Sequence, residues 1–197
     1  SMAEAQDFLR NQIIVKPTIK VLHTMQIEVL DGKIERVYQY GEQKADVDYG
    51  NQRILPGFID IHTHAYRKTV PFISECFSTI EELLARYDEM GVEKCCILPI
   101  VNPEIYFPQA NEDILDMAEK YPDRVIPYCN IDPRAITNSP HSDFIPVLEH
   151  YKERGCKGIG EIMPNLAFDD PRVQNLFYCA EQVGLHVVCD GSDLLTG

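Results

Sequence analysis

The chain has 197 residues, enough for one good core or for a small domain joined to part of a larger one. Hydrophobic residues make up 45% and charged residues 25%, a globular balance that excludes general disorder. The net charge of −13, from 31 acidic and 18 basic residues, argues against nucleic acid and acidic membranes as partners, because the mean field repels phosphates.

The opening SMAEAQDFLR lacks the basic-then-apolar order of a signal peptide, and no run approaches the ~18 apolar residues of a membrane span. Residues 1–55 read as a small β subdomain. Thr18 to Leu22 is strand-like, and Met25 to Leu30 and Ile34 to Tyr40 flank Asp31-Gly32, a strong hairpin signal. The seven cysteines, Cys76, Cys95, Cys96, Cys129, Cys156, Cys179 and Cys189, are odd in number and show no C-x-x-C spacing, which argues against a disulfide scaffold or a zinc ribbon. Cys95, Cys129, Cys156 and Cys189 lie in apolar strand-like runs, where a thiol acts as a small buried hydrophobe. That usage points to a reducing, cytoplasmic setting.

From Arg53 onward the chain alternates short apolar strands with amphipathic helices, and residues 56–197 read as five βα units. Ile54 to Ile61 is the first strand. Ile80, Leu83, Leu84, Tyr87 and Met90 then recur at helical spacing, with Ser78 and Glu81 as the capping box and Gly91 as the stop. Lys94 to Ile100 is the second strand, followed by a helix with Ile114, Met117, Ala118 and Tyr121 on one face. Val125 to Ile131 is the third strand, and Phe144, Val147, Leu148 and Tyr151 align on the third helix, which stops at Gly155. Lys157 to Ile162 is the fourth strand. Asp170-Pro171 caps the last helix, striped by Val173, Leu176, Phe177, Ala180 and Val183, and Leu185 to Asp190 is the fifth strand.

Strand and helix in alternation imply a parallel sheet, either doubly wound or a (β/α)8 barrel, and periodicity does not choose between them. No G-x-G-x-x-G loop follows the first strand, so a dinucleotide site has no support.

The sharpest local signal is Leu55-Pro56-Gly57-Phe58-Ile59-Asp60-Ile61-His62-Thr63-His64 at the end of the first strand. Residues two apart on an extended chain point the same way, so His62 and His64 present two imidazoles to one spot. Two neutral imidazoles suit Zn²⁺ and similar ions, and the C-terminal end of a parallel strand is where such folds place active sites.

This segment resembles the first-strand motif of the amidohydrolase superfamily, metal-dependent hydrolases on a distorted TIM barrel, and the preceding β subdomain resembles that superfamily's N-terminal portion. Lys157 to Ile162, Phe168 to Pro171 and Gly184 to Gly191 resemble the amidohydrolase-2 branch, which includes decarboxylases and lactone hydrolases. Gly160-Glu161-Ile162 also resembles a strand-four motif of TatD-type metal nucleases in which the glutamate binds metal. The resemblance implies a partial (β/α)8 TIM-type barrel, ending after the fifth strand, and a small-molecule hydrolase using a divalent metal, with Zn first and Mn or Fe as alternatives.

By the same resemblance His62 and His64 are metal ligands and Glu161 is a third or bridging ligand. Asp190 stands where relatives have a histidine, which makes it a candidate ligand and catalytic group. Lys157, about 13 Å below Glu161 at ~3.3 Å per residue, lies at the wrong depth for a carboxylated lysine, and His186 is equally deep relative to Asp190, as a structural histidine would be. Asn102, Asn130 and Asp132 follow strands two and three on the ligand-binding face, with Asn102 the catalytic candidate, although these residue types are also common in turns. Arg67 or Lys68 is available to hold an anionic group.

Residues 56–197 hold five strands, whereas a full barrel takes ~250 residues and eight. The resemblance places another histidine and a strand-eight aspartate in the part not represented, so this chain alone is expected to be inactive or weakly active. An open half barrel exposes apolar surface and two strand edges, so a homo-oligomer or a complementary chain completing the barrel is expected. A noncatalytic assembly module and a decarboxylase or lactonase on the same scaffold are the alternatives.

Overall fold

The computed structural model describes residues 25–30, 33–39, 41–44, 46, 57–68, 78–101, 103 and 109–189. The chain divides into two compact units, Ser1–Ile54 and Leu55–Gly197.

In the first unit β1 (Met25–Leu30) pairs antiparallel with β2 (Lys33–Gln39), with Ile27 opposite Val37, Val29 opposite Ile34, and a register shift after Glu28. The Tyr38 hydroxyl donates to Glu28 at 2.6 Å on the polar side of the ladder. The Asp31-Gly32 turn and the Thr18 to Leu22 strand lie outside the described residues.

The second unit contains, in order, β3 (Phe58–Thr63), α1 (Ile80–Met90), β4 (Val92–Ile97), α2 (Asn111–Lys120), β5 (Val125–Pro127), α3 (Ile145–Glu153), β6 (Gly158–Ile162), α4 (Pro171–Val183) and β7 (His186–Cys189). Helix α1 starts one residue later than its sequence pattern suggests. The Thr79 side chain accepts from the Glu82 N–H, and the Glu82 carboxylate accepts from the Thr79 N–H at 2.9 Å. Ser78/Glu81 and Thr79/Glu82 both satisfy the capping-box spacing. The observed frame makes Ile80 the first helical residue and buries it with Leu84 and Tyr87, while Met90, expected on the same stripe, is exposed. Helix α4 begins as its sequence indicates, with the Asp170 carboxylate accepting from the Arg172 N–H at 2.9 Å and Pro171 in the first turn. The Arg172 guanidinium beside it holds the Asp170 carboxyl down to about 2, so this cap stays charged.

Two strands end earlier than expected, each for a local reason. Strand β4 stops at Ile97 rather than Ile100 because Pro99 has no N–H for a ladder. Strand β5 runs only to Pro127 rather than Ile131; Cys129 still bridges to its neighbour, and at Asn130 the main chain bonds to the Asn111 side chain instead of to a strand.

Strands β3, β4 and β5 pair in parallel, as do β6 and β7. A parallel bridge between Cys129 and Ile159 joins the two sets, with Cys129 N–H donating to Gly158 O at 3.0 Å and Gly160 N–H to Cys129 O at 2.9 Å. The five parallel strands therefore lie side by side in chain order. A doubly wound sheet reverses its order at a switch point, and no reversal occurs here.

Alternate residues of β4 supply two cores, as expected of a strand buried on both faces. Cys95 and Ile97 pack with Ile80, Leu84, Tyr87, Ile114 and Met117 of α1 and α2. Cys96 and Leu98 face the other way, onto Tyr128, and Val188 of β7 packs into the same cluster. In a flat sheet β4 and β7 lie about 14 Å apart, three spacings of ~4.8 Å, so one cluster drawing side chains from both points to a curled sheet. Glycine at 158 leaves the room this needs: a Cβ there would sit 2.2 Å from the Tyr128 ring. The fold is a partial barrel. Outside the wall, Phe144, Leu148, Leu176 and Ala180 of α3 and α4 and their flanks bury fully against Cys129 and Ile159. Each such aliphatic or aromatic side chain contributes roughly 1.5–3 kcal/mol.

Among the described residues no helix is long and apolar enough to cross a membrane, and Cys95, Cys96, Cys129, Cys156, Cys179 and Cys189 are free thiols. Burial raises the Cys95 thiol to about 12, which keeps it protonated and inert at neutral pH.

Candidate metal centre

His62 lies near the end of β3 and His64 just beyond it, and Glu161 lies near the end of β6, three strands along the wall. The curl of the sheet brings them together. His62 Nε2 stands 3.4 Å from Glu161 Oε1, and His64 Nε2 stands 3.1 Å from Glu161 Oε2. The imidazole centroids are 5.4 Å apart with planes at 77°, and the three ligand atoms all lie within 4.8 Å of one another. The Glu161 side chain is 8% exposed, that of His64 14% and that of His62 40%, so the cluster opens toward solvent on the His62 side.

Each donor is held by its element. His64 Nδ1 meets the Leu98 carbonyl at 2.7 Å. A carbonyl only accepts, so Nδ1 carries the proton, and in the neutral ring the Nε2 lone pair faces the Glu161 carboxylate. Two electron-rich atoms 3.1 Å apart repel unless a proton or a cation lies between them. The His62 main-chain N–H donates to Asp60 Oδ1 at 3.0 Å, and Asp60 Oδ2 accepts from the Tyr87 hydroxyl of α1 at 2.5 Å. Burial, and then the Asp60 carboxylate, push that hydroxyl well above the usual phenol range, so it remains a donor. Gly160, at φ +143°, brings β6 against Val188 immediately before Glu161.

The donor set fits a divalent cation. In a tetrahedral shell with bonds of ~2.0–2.1 Å the donors stand about 3.3 Å apart, and the two imidazole–carboxylate separations, 3.4 and 3.1 Å, bracket that value. The proton on His64 Nδ1, bound to a main-chain carbonyl, is the outer contact that orients a metal-binding imidazole.

Asn102 and Asp190 lie outside the described residues. Asp132 is taken up by Arg134, accepting from its main-chain N–H at 2.8 Å and its Nε at 2.9 Å. Arg67, considered as an anion holder, is instead paired with Asp113 and Asp116 of α2. His186 is exposed on β7 rather than packed as a structural histidine, and Lys157 is exposed ahead of β6, away from Glu161. Asn130 is 3% exposed and its side chain bonds to main chain on both sides, a role that turn composition does not signal. Sequence reasoning assigned no site role to Tyr87, Asp60 or Asn111. Tyr87 occupies a core position in the helical stripe, which conceals its hydroxyl, whereas Asp60 stands within the histidine motif two residues before His62.

No family model matches the chain, and no curated protein sequence matches it. Solved structures do. The chain is similar to a probable 2-pyrone-4,6-dicarboxylic acid hydrolase from Acinetobacter baumannii with citric acid bound, at 17% identity over 68% of this chain and 49% of that one, TM-score 0.48. It is similar to a 2,6-dihydroxybenzoate decarboxylase from Rhizobium at 12% identity, over 68% and 49% of the two chains, TM-score 0.47. A third similarity is to a 5-carboxyvanillate decarboxylase from Novosphingobium aromaticivorans with bound manganese, at 20% identity over 54% and 33%, TM-score 0.41. The chain spans about half the length, or less, of the solved chains it matches.

Proposed function

We propose that the second unit carries the metal centre of a hydrolase that attacks a C–N or C–O bond of a small molecule, with His62, His64 and Glu161 as protein ligands. The observation that supports this reading is the convergence of two imidazoles and one buried carboxylate at metal-donor spacing, at the C-terminal ends of parallel strands. Two imidazoles and a carboxylate favour zinc, with manganese or iron as alternatives. A divalent cation, when bound, supplies Lewis acidity and a water activated for attack near neutral pH.

The chain's own groups account for the rest. Glu161, with one oxygen toward each imidazole, balances part of the cation's charge and fixes the donor triangle. The Leu98 carbonyl holds His64 in the tautomer that turns the Nε2 lone pair toward Glu161. The more exposed His62 side is where substrate approaches. With a net charge of −13, neutral or cationic substrates are favoured over polyanions.

The test is turnover. Zinc- and manganese-loaded chain, given a panel of lactones, amides and aromatic carboxylic acids at high enzyme concentration, is expected to turn over slowly and to release product only from the lactones or amides. Carbon dioxide release from the aromatic acids with no hydrolysis would replace hydrolase by decarboxylase, and no turnover of any member would remove the catalytic reading of this chain alone.

One observation favours an assembled active form. Phe58, Ile59 and Ile61 of β3 are 60%, 52% and 71% exposed, and Val187 of β7 is 39% exposed, so the two outermost of the five strands present apolar surface. An eight-stranded barrel pairs both such edges. In this reading a second chain covers them, as a homo-oligomer or as a complementary chain supplying the closing strands. Light scattering of the purified protein is expected to give a mass above 22.5 kDa that falls when Ile61→Lys is introduced. A monomer at all concentrations would sink self-association.

A further inference from the structure

We propose that Asn130 is a positioning residue that couples the two halves of the metal centre, an inference that rests on the metal-site reading above. Its side-chain nitrogen donates to two main-chain carbonyls, Pro99 O at 2.8 Å and Glu161 O at 2.6 Å. These belong to different strands' ends. Pro99 follows Leu98, whose carbonyl orients His64, and Glu161 supplies the carboxylate that faces both imidazoles. One amide therefore joins the support of one ligand to the backbone of another.

Both partners are carbonyls, so only a group with two N–H donors and no negative charge satisfies them together. Asparagine does this at 3% exposure, where the low local dielectric makes the pairing matter more. Aspartate, nearly the same shape, would place an oxygen against two carbonyl oxygens.

Asn130 is itself fixed from outside. Its main-chain N–H donates to Asn111 Oδ1 at 2.8 Å, and Asn111 Nδ2 donates back to the Asn130 carbonyl at 3.0 Å. Asn111 is the first residue of α2, so the helix sets where Asn130 stands and Asn130 sets the spacing of the two strand ends. Outer contacts of this kind typically change metal affinity 10–100-fold when removed.

The experiment titrates the full chain with Zn²⁺, and with Co²⁺ as a spectroscopic probe of coordination. Asn130→Asp is expected to weaken Zn²⁺ binding 10–100-fold and to reduce the intense visible absorption of four-coordinate Co²⁺. Asn111→Ala, which leaves the Asn130 side chain in place and guards against a misfolded Asn130→Asp, is expected to weaken binding severalfold. Leu176→Ala, which opens a cavity on the far side of the wall, lowers stability and is expected to leave the Zn²⁺ affinity within twofold. The positioning role is overturned if both asparagine variants bind Zn²⁺ as the unaltered chain does, or if Leu176→Ala loses as much affinity as they do. Failure of the unaltered chain to bind Zn²⁺ at all overturns the metal-site reading itself.

Discussion

The chain carrying His62→Ala together with His64→Ala is expected to lose divalent-metal binding by on the order of a thousandfold or more, beyond the 10–100-fold typical of outer-contact changes. Two of the three converging donors disappear, and the Glu161 carboxylate alone offers a cation little more than a solvated surface acid does. The fold should survive. The His62 side chain is 40% exposed, and the bond of His64 to the Leu98 carbonyl is one that water can replace. Metal content after exhaustive dialysis, with circular dichroism as the control for folding, measures this directly. Unchanged stoichiometry in a folded double variant would contradict the ligand assignment.

Gly160→Ala is expected to destabilise the second unit by about 3 kcal/mol or more, and to weaken the metal centre with it. Gly160 sits at φ +143°, a region that residues with a Cβ rarely adopt, and an added Cβ would lie 2.5 Å from the Val188 carbonyl oxygen and 3.0 Å from the Val188 Cβ. Val188 belongs to β7, parallel-paired with β6, so relief requires the two strands to part. Glu161 follows directly and would be displaced from the imidazoles. For a unit of this size the loss corresponds to a fall of about 10 °C in melting temperature. A melting point within a degree or two of the unaltered chain would show that β6 and β7 can move apart at little cost.

Most of the second unit was legible because its patterns follow from the period of the element. The stripe from Ile80 to Tyr87, the Asp170-Pro171 start of α4 and the apolar runs of β4 and β6 each report which face is buried. Helix starts were harder where two capping frames compete, as at Ser78 and Thr79, since the choice depends on whether Ile80 finds a pocket. The histidine pair was legible as a motif, and Glu161 as a carboxylate at a strand end. Their meeting was not, because it depends on a curl that only packing reveals: Tyr128 over Gly158, and Val188 against Gly160. Asn130 and Asn111 act through main-chain carbonyls and amides, which carry no sequence signature. The acidic partners of Arg67 come from α2, 46 and 49 residues along the chain, so the sequence alone left that cation free when it is paired.

The claim beneath all of this is that His62, His64 and Glu161 enclose one divalent cation. X-ray absorption at the zinc edge of the zinc-loaded chain tests it most directly. The account predicts a four- or five-coordinate shell with two imidazole nitrogens and oxygen at ~2.0–2.1 Å. A six-oxygen shell without imidazole scattering, or zinc that washes out with the buffer, would contradict it.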